Sequence, residues 1–114
     1  MRRNTRNTRN TLKNGSVRCI VFREKDRWFA VGLEFNIVEE GGSPQEVQIL
    51  LDEALRGYVE AASKVKLRDA VLNQKADVEY ERLWVRLQNE RERERIGSRV
   101  ASFGRHQLAA LAIS

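Results

Sequence analysis

The sequence contains only one cysteine, one histidine, one methionine and one proline among its 114 residues. A single cysteine excludes a disulfide bond within the chain and a cysteine-rich zinc site. A single histidine excludes a metal site built from several histidines of this chain. No apolar run approaches the roughly 18 residues that a membrane-spanning helix needs. The remaining composition, 41% hydrophobic and 32% charged, fits one soluble domain with a modest core.

The net positive charge is concentrated at the amino terminus. Residues 1–13 contain five basic residues and no acidic one, and the rest of the chain has 16 of each sign. The triplet Arg-Asn-Thr repeats over residues 3–11 without an apolar residue, so we predict a disordered basic tail over residues 1–16. The tail is either a low-complexity extension or an arm that touches nucleic-acid phosphates. The candidate contacts of such an arm are Arg2, Arg3, Arg6, Arg9 and Lys13.

Three short apolar segments predict an antiparallel sheet. Residues 17–23 and 28–33 are rich in β-branched and aromatic residues, and the polar residues 24–27 between them favour a β-hairpin. Residues 35–38 predict a third, short strand. Apolar residues recur at every second position over residues 29–37, which predicts one continuous apolar face.

The signals that follow the third strand are those of a helix start. Ser43 suits the N-cap, Pro44 the first helical position and Glu46 the third, which together form a capping box. Apolar residues then recur at three- and four-residue spacing, which predicts a helix over residues 44–62. Residues 17–62 are therefore predicted as an α+β unit, a three-stranded antiparallel β-meander covered by one helix.

Residues 63–114 are predicted as a helical extension. Asp77 can cap a helix whose apolar face lies on residues 80–87. Because this face is too short to be stable alone, we expect it to pack on the sheet or on a second chain. The alternating charges of residues 90–95 are typical of a solvated helix end. The apolar residues 108–113 either dock on the core or contact a partner.

The residues with chemical potential each have a simpler structural interpretation. Cys19 and His106 can form a nucleophile–base pair, but a lone cysteine in a predicted strand is more often a small core residue. Residues 41–43 resemble an anion cradle, although helix capping accounts for them. Trp28 or Phe29 can stack on a base, although core packing is the commoner fate of such rings. We therefore expect no catalytic residue, no cofactor and no metal ion.

The middle of the chain also carries a family pattern. Trp28, Phe29 and Ala30 fit an aromatic-rich second strand, and the helix start fits at Gly41, Ser43, Glu46 and Val47. Through these positions residues 17–62 resemble the HicB antitoxin family. Members of that family begin with a β-β-β-α module that is similar to part of a double-stranded-RNA-binding fold (a partial dsRBD-like module). Residues 64–114 match neither a helix-turn-helix nor a ribbon-helix-helix segment.

The resemblance implies a cytoplasmic, non-enzymatic bacterial antitoxin, or an orphan relative of one. Such a protein binds a small toxin RNase or another small protein partner, and no membrane. An exposed edge strand and the apolar face of residues 80–87 predict a homodimer. The alternative function is nucleic-acid binding through the basic amino-terminal arm.

Overall fold

Four antiparallel strands form the centre of the computed structural model, which describes residues 9–65 and 69–112. The strands are β1 (Ser16–Glu24), β2 (Arg27–Gly32), β3 (Ile37–Gly41) and β4 (Val100–Gln107). They lie in the order β3-β2-β1-β4, so β1 is central and β3 and β4 are the edges. The predicted α+β class is confirmed, with one strand more than predicted.

Helices cover both faces of this sheet. They are α1 (Pro44–Val65), α2 (Val78–Leu87), α3 (Glu90–Ile96) and α4 (Leu108–Leu111). The core residues of α1 and α4 pack on one face, and those of α2 and α3 pack on the other. No helix in the described part of the chain has the length and apolar character that crossing a bilayer requires.

The predicted hairpin is present, with a shorter loop. β1 and β2 pair from Cys19–Gly32 to Glu24–Arg27, and only Lys25 and Asp26 lie between them. Lys25 has φ 59°, in the left-handed region that two-residue hairpin loops use. The polar residues 24 and 27 belong to the strands, because their backbones continue the ladder beyond the apolar segments.

The predicted continuous apolar face over residues 29–37 is divided between the two sides of the sheet. Leu33 packs with the core under α2, whereas Phe35 and Ile37 pack with the core under α1. A 3-10 turn at residues 33–35 and the left-handed Asn36, with φ 55°, cause the change of side. The period-two pattern is therefore interrupted by a turn that consists mostly of apolar residues.

The start of α1 is fixed by the side chains that the sequence singles out. Glu46 N donates to Ser43 Oγ at 3.1 Å, and Gly42 N donates to Glu46 Oε1 at 2.8 Å. Val47 N donates to the Ser43 carbonyl at 3.2 Å and closes the first turn. These bonds satisfy backbone donors that a helix start otherwise leaves unpaired. α1 then continues three residues past the predicted end at residue 62.

The prediction of a helical extension over residues 63–114 is wrong at β4. This strand pairs with β1 from Ser16–Gln107 to Phe22–Val100, with a bulge in β4 at Ala101, opposite the step from Val21 to Phe22. Its side chains alternate between half-buried and exposed. The sequence shows no apolar alternation because serine, glycine and histidine occupy the half-buried positions 102, 104 and 106.

The apolar face of residues 80–87 packs inside the molecule. Leu83, Trp84 and Leu87 are buried against the face of the sheet that carries Ile20 and Phe22. The second face of the sheet is apolar and needs a cover, which explains why the helix docks there. This face is therefore not available for the homodimer that the sequence predicted from it.

The predicted disordered tail differs from the structure at its carboxyl-terminal end. Residues 1–8 lie outside the described residues. Asn10 is only 4% exposed, and its side-chain nitrogen Nδ2 donates to the backbone carbonyls of Ser16 and Leu72, each at 2.9 Å. Asn10 N donates to Asn73 Oδ1 at 2.7 Å, and Asn73 Nδ2 donates back to Asn10 O at 2.9 Å. These bonds attach residues 10–16 to the folded body.

Arg18 is the one charged residue among the apolar positions 17–22 of β1. Its Nε donates to Glu34 Oε2 at 2.6 Å, and its two terminal nitrogens donate to both carboxylate oxygens of Glu81 at 2.7 and 2.8 Å. Burial lowers the pKa of Arg18, but the hydrogen bonds and charges of Glu81 and Glu34 raise the pKa by more. The side chains of Arg18 and Glu34 are only 19% and 17% exposed. The cluster therefore joins β1, the 3-10 turn and α2.

Replacing Arg18 with methionine is expected to lower the free energy of unfolding by about 2–3 kcal/mol, because two carboxylates lose their shared cation. The matched change Arg27→Met removes an exposed pair with Glu40 and should cost less than about 0.5 kcal/mol. Urea denaturation followed by circular dichroism measures both. Equal losses in the two variants would contradict this difference.

Candidate functional site

A groove of about 480 Å³ lies between β4 and α1 and brings Cys19 and His106 to the same cavity. The Cys19 thiol is 5% exposed and donates to the Val17 carbonyl at an S–O distance of 3.7 Å. Burial, with smaller effects of Glu34 and Asp52, raises the pKa of the thiol to about 12. A thiol that keeps its proton at neutral pH is a poor nucleophile. The groove therefore does not have the electrostatics of a cysteine active site.

Cys19 is expected to react slowly with a thiol reagent in the folded protein, because its proton and its burial both protect it. Ellman's reagent at neutral pH should modify less than about a tenth of the protein in the time that modifies all of it in guanidinium chloride. Fast modification of the folded chain would instead show an accessible thiolate.

The candidate anion cradle and the candidate stacking rings both make contacts within the folded chain. The Gly42 N–H is bonded to Glu46 at 2.8 Å, so the start of α1 holds a carboxylate of its own chain. Phe29 stacks on Phe22 with ring centroids 5.6 Å apart, and Trp28 packs against the core under α1. Within residues 9–65 and 69–112, no three histidine, cysteine or acidic side chains are grouped to hold a metal ion.

The basic candidates of the amino-terminal arm are only partly described. Arg9 and Lys13 are exposed on either side of the anchored Asn10. The other three, Arg2, Arg3 and Arg6, lie outside the described residues. The arm therefore begins at a fixed point, where Asn10 binds Asn73 and the start of β1.

Acidic residues mark one exposed surface of the molecule. Residues 37–65, which include β3 and α1, contain six acidic and two basic residues. Glu46, Glu53 and Glu60 are exposed and recur every seven residues on α1, so they form one line along the helix, here called the acidic stripe. Ile49 is 62% exposed beside this line.

The two basic residues of α1 do not cancel the acidic stripe. Arg56 Nε pairs with Asp52 at 2.9 Å, and Lys64 Nζ pairs with Glu60 at 3.4 Å, both at exposed i,i+4 positions. Pairs in such positions contribute little binding energy and are readily exchanged for other partners. The surface of α1 thus presents negative charge around an exposed apolar side chain.

The outer edge of β4 is a second exposed surface. Glu24 and Arg27 close a two-residue hairpin, and the closing pair of such a hairpin exchanges backbone hydrogen bonds. Because bonding alternates along an antiparallel strand, the even-numbered residues of β1 bond to β2 and the odd-numbered residues bond to β4. The bond from Leu108 N to Gly15 O at 3.0 Å agrees with this alternation. The backbone groups of Phe103 and Arg105 consequently point away from the sheet, whereas Ala101 is the extra residue of the bulge and Gln107 is the N-cap of α4.

Comparison with protein-family models, with curated proteins and with solved structures finds no match for this chain. We therefore infer the function from the surfaces of the molecule itself. The seven-residue spacing of the acidic stripe is visible in the sequence, although no short motif contains it. The edge of β4 has no comparable signal, because its half-buried residues are small or polar.

Proposed function

We propose that this chain is a HicB-like antitoxin, or an orphan relative of one, that binds a small toxin RNase or another small protein partner in the cytoplasm. The support is a β-β-β-α module over residues 16–65 with the helix start on which the resemblance rests. The buried, protonated Cys19 favours a binding function over a catalytic one.

The acidic stripe is the observation that carries this proposal. A ribonuclease binds the phosphates of its substrate with basic residues, so its active surface is positively charged. Glu46, Glu53 and Glu60 offer a complementary negative surface, which accelerates association and selects for basic partners. Ile49, exposed beside the stripe, can supply the apolar contact that charge pairs alone do not.

The first experiment is to co-express this chain with the proteins encoded by the two genes that flank its own gene. A small basic neighbour should arrest growth when induced alone, and this chain should restore growth and co-purify with that neighbour. If neither neighbour is toxic or is bound, the antitoxin proposal fails.

Reversing two charges of the acidic stripe, with Glu53→Lys and Glu60→Lys together, is expected to weaken binding of that neighbour at least about tenfold at low salt. The loss should shrink at high salt, because screening already weakens the wild-type complex. Isothermal titration calorimetry at two salt concentrations measures both effects.

The control for this prediction is Glu90→Lys with Glu94→Lys on α3, which changes the net charge equally on an exposed helix elsewhere. This control should leave the affinity within about twofold, because only long-range charge is altered there. Equal weakening by the two double variants would show that net charge, and not the acidic stripe, governs binding.

Nucleic-acid binding through the basic arm is the second candidate function, and the concentration of charge in residues 1–13 favours it. Deleting residues 2–9 removes four arginines but keeps Asn10 and its bonds to the body. If the arm binds RNA or DNA, the deletion should abolish an affinity whose logarithm falls with log salt at a slope of about −3. Fluorescence anisotropy with a labelled oligonucleotide measures the slope, and binding that survives the deletion would exclude the arm as the site.

A further inference from the structure

We propose that β4 pairs antiparallel with β4 of a second copy of this chain, about a twofold axis that passes through Gly104. The two sheets then join into one continuous eight-stranded sheet. This inference is independent of the antitoxin proposal, because it uses neither the acidic stripe nor a partner protein.

The backbone of β4 is prepared for such pairing. Its outer edge carries the outward N–H and C=O groups of Phe103 and Arg105, on which the described residues place no further strand, and proline occurs nowhere in β4. An unpaired edge of this length is a template for another strand. In the proposed register Phe103 lies opposite Arg105, and these two symmetry-related pairs give about four backbone hydrogen bonds across the axis. The bulge at Ala101 and the start of α4 after Gln107 limit the pairing to this central part of β4.

The side chains of β4 complement themselves in this register. Phe103 is 39% exposed on the face of α2. Arg105 is exposed beside it, with its guanidinium 5.4 Å from the Trp84 ring and donating to Ser16 Oγ at 3.1 Å, so it must turn from Ser16 to reach a second copy. Across the axis each ring meets the guanidinium of the other copy, an arrangement that repeats the contact Arg93 already makes over Phe103 at 6.0 Å. The strand therefore supplies both the cation and the ring of each pair.

Gly104 suits the axis for a steric reason. The backbone groups of Gly104 point towards β1, so Gly104 forms a non-hydrogen-bonded pair with Gly104 of the second copy. The Cα atoms of such a pair approach to about 4.5 Å. A Cβ atom built on Gly104 meets no atom of the described residues within 4 Å, so the space beside Gly104 is open. Two glycines at the axis allow the copies to approach without a clash.

The opposite edge of the sheet is a poorer self-pairing site. β3 has five residues, and its outward-facing Glu40 and neighbouring Glu39 would be brought close to the same carboxylates of a second copy. Like charges facing each other across a strand pair are destabilising. Repulsion between carboxylates thus makes β3 the poorer interface between two copies.

Cross-linking at the axis tests the register in the full-length chain. Cys19 lies opposite Gly104 within the sheet, so all variants carry Cys19→Ala to prevent a bond inside the chain. Gly104→Cys should form a disulfide-linked dimer on mild oxidation, because the Cα separation lies in the range that disulfides require. Ser102→Cys is the matched control, because the two copies of residue 102 would lie about 13 Å apart along the strands.

The oligomeric state tests the interface by a second route. The unmodified chain should have the mass of a dimer in sedimentation equilibrium. Arg105→Pro removes an outward N–H and the cation, and should raise the dimer dissociation constant at least about tenfold. Val38→Pro makes the matched change at an outward position of the β3 edge and should leave the dimer intact.

Three results would overturn the proposal. The first is a monomer at every concentration, which would leave the β4 edge to another protein. The second is a dimer in which Gly104→Cys cross-links no faster than Ser102→Cys. The third is a dimer that dissociates with Val38→Pro and not with Arg105→Pro. Circular dichroism of each variant shows whether the fold is retained, and the cysteine variants test the register without a proline.

Discussion

The burial of β1 on both of its faces is the constraint on which this structure depends. Val17, Cys19 and Val21 face α1, whereas Ile20 and Phe22 face α2, so two separate helical covers are required. Arg18 interrupts this apolar strand and must be neutralised where it lies, because an unpaired charge there is costly. The carboxylates that neutralise it come from the 3-10 turn and from α2. The same strand therefore determines both the second helical layer and its attachment.

Local signals predicted the parts of the fold that neighbouring residues determine. The β1–β2 hairpin, the capped start of α1 and the apolar stripe of that helix depend on contacts a few residues apart, and the sequence shows each of them. β4 depends on pairing with β1 across most of the chain, and its glycine, serine and histidine carry no apolar pattern. The turn at residues 33–35 could not be predicted from the sequence, because Leu33 and Phe35 continue the apolar alternation of the strand. The candidate surfaces follow the same rule, since the acidic stripe can be read from spacing and the β4 edge requires the topology.

The two proposed surfaces are compatible in one assembly. A twofold axis perpendicular to the sheet keeps α1 of both copies on the same side, with the paired β4 strands between them. Each acidic stripe points away from the sheet, because the opposite side of α1 packs on the core through Val47, Leu51 and Leu55. A dimer therefore presents two negative surfaces in the same direction. A partner that is itself dimeric would gain affinity from binding both, at an effective concentration fixed by the rigid sheet.

An open strand edge is a hazard that folded proteins usually limit with charge, bulges or a covering element. β4 has one bulge near its start and one arginine with an outward backbone, and the described part of the chain places no strand on its outer side. Its exposed residues include one ring, Phe103, and one cation, Arg105, which lie on either side of Gly104, so each faces the other when a second β4 runs in the opposite direction. A strand edge that is only protected from pairing does not need a ring and a cation at matching positions. Pairing of two identical strands in this register does need them. The placement of Phe103 and Arg105 on either side of Gly104 is the arrangement that the proposed pairing with a second copy requires.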